Sequence, residues 1–508
     1  MRRYLGLRGN SLNMMALVGV TMPAIMSFGY NQSMLGGVLT LDSFERQFRE
    51  IDLTDAAPEE KTYKSTIQGT VVALYAVGGL FGALSCIGLG DILGRKKVIM
   101  LASVIQIIGA ILMTTAFEFT QLVVSRLIIG LGTGGVLATV PVWQSELSTT
   151  SKRGAHVVTI GPFAGLGASL VLFIDFGMSF APESEGWRVP FALQILLSLT
   201  VIGFISILPE SPRWLVRQGR IVEAREVLAA LEDVDANDLK VEAEILEVES
   251  SLKLAGEASV KQVFHMGSQR IFHRAMLAAT VMMFLQLTGV NTVTFYTNTI
   301  FETYLSLDSV KSRLLAAIYQ LVTLIAGAIC VYTIEGFGRR GLMLASAAGN
   351  AVCLALVAAL GSQPDNARAM DGAVVFIFFF HFSYVIGYGG IPFLYAAELS
   401  PLKMRGTING ISMGTYWIFC IVITEITPLA FQALEWRFFI IFAGLNVIMM
   451  GVVYFLFPET AGRSLEEIDR IFMTSDTIWD TVNAAKRLPH SVPERSRLPK
   501  EIPSENSA

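Results

Sequence analysis

Apolar runs of about 20 residues recur along this chain, and that recurrence limits its fold more than any other feature. Coiled at 1.5 Å per residue, such a run spans the roughly 30 Å hydrocarbon core of a bilayer. In that medium a helix satisfies every backbone N–H and C=O within the segment, which an open strand cannot do. Charged residues are only 16% of the chain and hydrophobic ones 53%, whereas soluble proteins carry roughly a quarter charged residues. The expectation is an all-α membrane protein with twelve spans. Six lie at about 14–38, 66–88, 98–117, 121–143, 156–178 and 189–208, and six at about 275–301, 313–334, 342–361, 371–396, 406–430 and 437–457.

One stretch breaks the apolar pattern. Residues 209–274 hold 21 of the chain's Asp, Glu, Lys and Arg residues, a density that lipid does not accept. It reads as an aqueous, helical connector. The chain then divides into a six-helix bundle over 1–208, the connector over 209–274, a second six-helix bundle over 275–457 and a tail over 458–508. The tail begins helix-like from Ser464 to Phe472 and turns to Pro, Ser and charge, a composition expected to be disordered.

Several function classes drop out on composition. A net charge of −4 offers nothing for nucleic acid. Cys86, Cys330, Cys353 and Cys420 fall in apolar runs without metal-ligand spacing, so they read as packing residues. There is no phosphate-binding glycine loop and no catalytic constellation, which disfavours an ATP-driven pump or an enzyme. No cofactor is expected. The first apolar run follows Arg2, Arg3 and Arg8 without a cleavage site and is expected to stay as a helix. Asn31-Gln32-Ser33 fits the glycosylation pattern but lies inside that run, so it reads as a chance match. Arg95, Lys96, Lys97, Lys152, Arg153, Arg339, Arg340, Lys403 and Arg405 cluster in alternate loops. By the positive-inside rule these loops, the connector and both termini face the cytoplasm.

The two halves repeat. Trp187-Arg188 stands 22 residues before Pro209-Glu210, and Trp436-Arg437 stands 22 before Pro458-Glu459. Glu146 and Arg153 recur as Glu398 and Arg405, and Asp91 and Arg95 as Glu335 and Arg339. Three matched pairs in one order imply two bundles related by an axis along the membrane normal. Asp91, Arg95, Glu146, Arg153 and Glu210 are expected to form one ion-pair cluster, and Glu335, Arg339, Glu398, Arg405 and Glu459 its twin. Pairing across the halves would latch the cytoplasmic mouth. The plainer alternative is that these residues only anchor topology, although orientation needs bases and not acids.

These residues carry a resemblance over about 14–470. Gly90-Asp91-Ile92-Leu93-Gly94-Arg95-Lys96, Arg126 with Gly130, Gly132 and Gly134, and Glu146 to Gly154 come in order. Pro209-Glu210-Ser211-Pro212-Arg213-Trp214-Leu215 and Gln286-Leu287-Thr288-Gly289-Val290-Asn291 follow. Glu335 to Arg340, Ala397-Glu398-Leu399-Ser400 and Pro458 to Ser464 complete the set. The chain resembles the sugar porter family of the major facilitator superfamily, and its fungal hexose-transporter-like members most. The resemblance implies twelve helices, alternating access, a plasma-membrane home, a monomer in the lipid bilayer and a carbohydrate-like small molecule bound at mid-membrane.

Gln286 and Asn291 are polar residues near the middle of the seventh span, where polarity needs a cavity or a partner. Five residues on a regular helix turn through about 140° net, so both face one cavity only if the helix unwinds at Gly289. The family uses this helix as a broken gate with amide ligands; the alternative is that the amides bridge helices. Other positions depart from the family pattern: Gly161 replaces a fifth-span Gln, Leu285 a seventh-span Gln and Thr323 an eighth-span Asn. Phe393 replaces a tenth-span Trp, Val385 stands where some members carry Glu, and Tyr416-Trp417 replaces Asn-Trp. With Gln286, Asn291, Thr323, Phe393, Tyr416 and Trp417 as lining, the expected pocket is drier and more aromatic than a glucose site. The ligand is then either a sugar held mainly by stacking or a more apolar small molecule.

Asn31 stands where proton-coupled members carry an Asp facing the fourth-span Arg, here Arg126. An Asn31–Arg126 pair cannot titrate, which points to facilitative uniport. His381 is either a hydrogen-bonded packing residue or a proton relay; Asp175 and Glu425 are further embedded acids near helix ends. Proton symport, export of an apolar metabolite and a non-transporting nutrient sensor are the competing readings, though such sensors tend to carry a longer tail.

Overall fold

The computed structural model describes residues 4, 6–53, 57–148, 160–256, 260–267, 269–305, 307–401, 404–463, 465–475 and 477–488. Among these, eleven helices are long and apolar enough to cross a bilayer, and Ile271–Leu287 is apolar but shorter. In chain order they are α1 (Gly9–Val38), α2 (Pro58–Leu93), α3 (Arg95–Thr114), α4 (Phe119–Leu147), α5 (Ile160–Met178) and α6 (Glu185–Ile207). The second half holds α7 (Ile271–Leu287), α8 (Ser309–Phe337), α9 (Arg339–Gly361), α10 (Ala367–Tyr388), α11 (Arg405–Leu434) and α12 (Arg437–Leu456). Between the halves lie the short polar helices Pro212–Arg217, Ile221–Glu232 and Leu239–Gly256.

Small residues let the helices meet without a water-driven core. Gly130 and Gly134, four apart on α4, face α2, where a Cβ on either would overlap backbone at Tyr75 or Gly79. The other surface is apolar: Leu101, Val104, Ile108 and Ile111 recur every three or four residues on α3 and are all exposed. That stripe suits a hydrocarbon surround. The halves meet chiefly where α2 packs on α11 and α5 on α8.

The ends of the bundle can be told apart. Arg8, just before α1, pairs with Asp233 of the connector at 3.1 Å. Trp214 and Gln218 of the connector both donate to the Asp91 carbonyl at the close of α2, each at 3.0 Å. Arg274, near the start of α7, is 1% exposed; it pairs with Asp469 at 2.6 Å and donates to the Leu399 carbonyl at 2.5 Å. These ends form the connector face. Gly37, Thr40, Thr62 and Arg313 lie at the opposite, far face, since each sits on or beside the other end of its helix.

Three features differ from the expectation. Residues 58–65 continue α2 instead of belonging to a loop. Pro58 opens the helix with Glu59 and Glu60 in its first turn, where proline's fixed φ and acidic charge are both favourable. The tenth span is not continuous: it breaks at Gly389-Gly390 and resumes as Ile391–Leu399, with Pro392 in its first turn. The tail adds a second helix, Thr481–Arg487, beyond Leu465–Thr474. Arg153, Lys152, Lys403 and the tail beyond residue 488 lie outside the described residues.

Candidate functional site

The seventh span supplies the centre. α7 stops at Leu287, Gly289 takes φ +95°, and a short helix Val290–Phe295 follows. That φ is open to glycine and strained for other residues. A Cβ there would also meet the Phe442 ring at 3.0 Å. Asn446 of α12 donates to the Thr288 carbonyl at 3.1 Å, so one orphaned acceptor of the break is satisfied from a neighbouring helix.

The unwinding has the effect expected of it. Gln286 and Asn291 are 0% and 3% exposed, and the Asn291 amide donates to Gln286 Oε1. Asn291 Nδ2 also lies 3.5 Å from Cys420 Sγ, and Gln286 Nε2 donates to the Tyr416 carbonyl of α11 at 3.3 Å. From the other half, Gln32 Nε2 of α1 donates to Asn291 Oδ1 at 2.9 Å. Three amides thus form one chain across the interface between the halves. Aromatic rings flank it. Phe393 lies 5.9 Å from Tyr416, Tyr416 lies 5.3 Å edge-on to Trp417, and Trp417 meets Phe28 at 6.4 Å and Tyr75 at 6.2 Å. The last two rings belong to the first half, so the aromatic layer also spans both halves.

Two expected placements are corrected. Thr323 does not join the amide chain: its Oγ1 lies 2.7 Å from His381 Nε2, and its methyl side packs on Gly165 of α5. Threonine is too short to follow an asparagine's path, and the His381 ring, tilted 34° against Tyr319 with centroids 4.0 Å apart, takes its hydroxyl. That geometry favours the packing reading of His381. Asn31 and Arg126 take separate partners. Asn31 donates to the Ser27 carbonyl one turn back at 2.9 Å. Arg126, 0% exposed, stacks 4.9 Å over Tyr75 and donates to the Val72 carbonyl at 3.4 Å. A neutral amide attracts the guanidinium less strongly than a carboxylate would, and here each group takes another partner.

The charged corners assemble as twins. Arg95 lies 3.6 Å from Asp91 and 3.2 Å from Glu146, while Arg339 lies 3.0 Å from both Glu335 and Glu398. Glu210 accepts from the Lys96 backbone N–H at 3.1 Å, and Glu459 from those of Arg339 and Arg340 at 2.9 and 3.0 Å. Each carboxylate therefore caps the helix that starts beside it, α3 or α9, where partial positive charge gathers. Burial raises the Glu210 carboxyl above its ordinary value; the N–H donors of Ser211 and Lys96 and the Arg95 charge oppose that shift. Every pair named here joins residues of one half, so the expected bridge between halves is not what these contacts make in this state. Arg405 heads α11, and Arg153 is outside the described residues.

Among the described residues, the polar contacts that cross between halves lie instead at mid-depth and at the far face. Asn298 donates to the Gly37 carbonyl at 3.1 Å, Arg313 to that of Thr40 at 2.8 Å, Thr70 to Glu425 at 2.7 Å and Gln432 to Thr62 at 3.4 Å. These contacts tie the two halves together at the far face. Sequence reasoning missed Gln32, although a second amide beside Asn31 in an apolar run was a visible signal.

Known proteins agree with this geometry. Residues 15–472 match the family model described as "Sugar (and other) transporter". The chain is 33% identical to the sugar transporter STL1 of Saccharomyces cerevisiae, over 92% of this chain and 82% of that one. It is 34% identical to the MFS-type transporter oryC of Aspergillus oryzae, over 94% and 88%. The fold matches the E. coli xylose transporter XylE in a partially occluded inward open conformation, with a TM-score of 0.73, 18% identity and coverage of 90% and 100%. The chain belongs to the sugar porter family of the major facilitator superfamily, a family of transporters.

Proposed function

We propose that the protein carries a sugar or sugar-like small molecule across a membrane by alternating access, as a facilitative uniporter. The observation that supports this most is the amide chain at the Gly289 break, buried between the two halves of a sugar porter. An amide both donates and accepts, which matches a hydroxyl that does the same. Relatives named as sugar and glucose transporters carry the substrate class in the same direction.

Uniport follows from Asn31, which cannot exchange a proton against Arg126. The ligand is expected to be a sugar held largely by stacking or a more apolar relative. Gly161 and Leu285 bring no amide, Thr323 is turned to His381, and Phe393, Tyr416 and Trp417 contribute rings. By the positive-inside rule Arg95, Lys96, Arg339 and Arg340 support a cytoplasmic connector face, and both termini are proposed to lie on that side of a plasma membrane. The corner clusters are the two parts of a cytoplasmic latch, which pairs across the halves when the path opens outward. The protein works as a monomer.

A substrate screen in a host lacking hexose uptake, with and without an uncoupler, tests the whole reading. Saturable uptake of a sugar-like compound that is insensitive to the uncoupler is expected. Plain glucose as the best of many substrates would refute the drier-pocket part, and loss of uptake with the uncoupler would refute uniport.

A further inference from the structure

We infer that Gln32 of α1 is a specificity-determining residue that contacts the substrate, supplying the first half's polar share of the site. This deepens the reading of a hydroxylated ligand and rests on it. Three observations converge on Gln32. Its amide reaches Asn291 of the opposite half at 2.9 Å. Its neighbours Asn31 and Ser33 are 1% and 0% exposed, whereas Gln32 is only partly buried, so its head group stands at the edge of the packed wall. Phe28, one turn earlier and on the same helix face, meets Trp417 of the second half. That face of α1 is therefore turned toward the amide chain and its rings.

Alternating access gives this contact a purpose. A ligand shifts the balance between two states only by binding one better than the other. For two halves that rock against each other, that requires contact with both. Gln286 and Asn291 belong to the second half. On α5, Gly161 faces the second half, where its Cβ would meet the Gly389 carbonyl at 3.1 Å, and it has no amide to offer. Gln32 supplies from α1 what α5 lacks. In this structure Gln32 Nε2 donates to Asn291 Oδ1. A ligand hydroxyl placed between them accepts from Gln32 Nε2 and donates to Asn291 Oδ1, so neither amide loses a partner. A ligand carbon at that point would leave both unpaired, which is how the pair selects for a hydroxyl.

The test is uptake kinetics of the best substrate and of analogues lacking one hydroxyl each, in wild type, Gln32→Leu and Gln32→Asn. Ligand-dependent thermal stabilisation of the purified full chain is measured alongside. Gln32→Leu is expected to raise KM roughly tenfold, with Vmax changed much less and with ligand stabilisation weakened. One deoxy analogue is expected to lose nothing further in Gln32→Leu, which identifies the hydroxyl concerned. Gln32→Asn, which keeps the amide on a shorter stem, falls between. Unchanged KM and ligand stabilisation in both variants would overturn the inference, as would a fall in Vmax alone with every analogue affected equally. Wild-type protein that takes up no hydroxylated compound would defeat the parent reading instead, a result distinct from either.

Discussion

Gly289 shows how one residue decides what the seventh span can do. A side chain there would pay for φ +95° and for contact with Phe442. Gly289→Ala is therefore expected to cost about 1–2 kcal/mol, from the left-handed backbone alone. It is also expected to raise KM, because closing the break swings Gln286 away from Asn291. Melting of the purified variant and its uptake kinetics check both; an unshifted midpoint with wild-type KM would show that the break needs no glycine. This much was legible in the sequence, since Gln286 and Asn291, five apart in an apolar run, face one cavity only if the helix unwinds at Gly289. The role of Gln32 was not, because its partner lies 259 positions away. Nor was the parting of Asn31 from Arg126: losing a charge removes an attraction, and what replaces it depends on which carbonyl or ring is nearest.

At the scale of elements, spans and their repeat could be read because they rest on local pattern. The matched spacing of Asp91 with Arg95 and of Glu335 with Arg339 marked the two pairs, and both form across the turns at Gly94 and Gly338. The task of Glu210 and Glu459 was less visible. Both were expected as members of ion clusters, yet their hydrogen bonds go to backbone N–H groups at the starts of α3 and α9. Backbone donors carry no side-chain signature. Glu459→Ala removes an acceptor from four N–H groups, those of Arg339, Arg340, Thr460 and Ala461. A loss of about 1–2 kcal/mol is expected, with Glu459→Gln milder because one oxygen stays. Equal melting of the two variants would mean that charge, not capping, is what matters. The break in α10 had a signal in Gly389-Gly390 that an apolar count alone passes over.

For the whole molecule, described contacts at the far face tie the halves to each other, while the corner clusters hold each half together. Asn298 on Gly37, Arg313 on Thr40 and Gln32 on Asn291 must all part before the far mouth opens. On the proposed reading, a loaded carrier offers hydroxyls to the amides, whereas an unloaded one has nothing to put in their place. The slow leg of the cycle is then the empty return. Preloading vesicles with unlabelled substrate is expected to speed entry of labelled substrate, since exchange never needs the bare protein to turn round. Equal rates into empty and filled vesicles would mean that the seal at the far face is no barrier to the journey back.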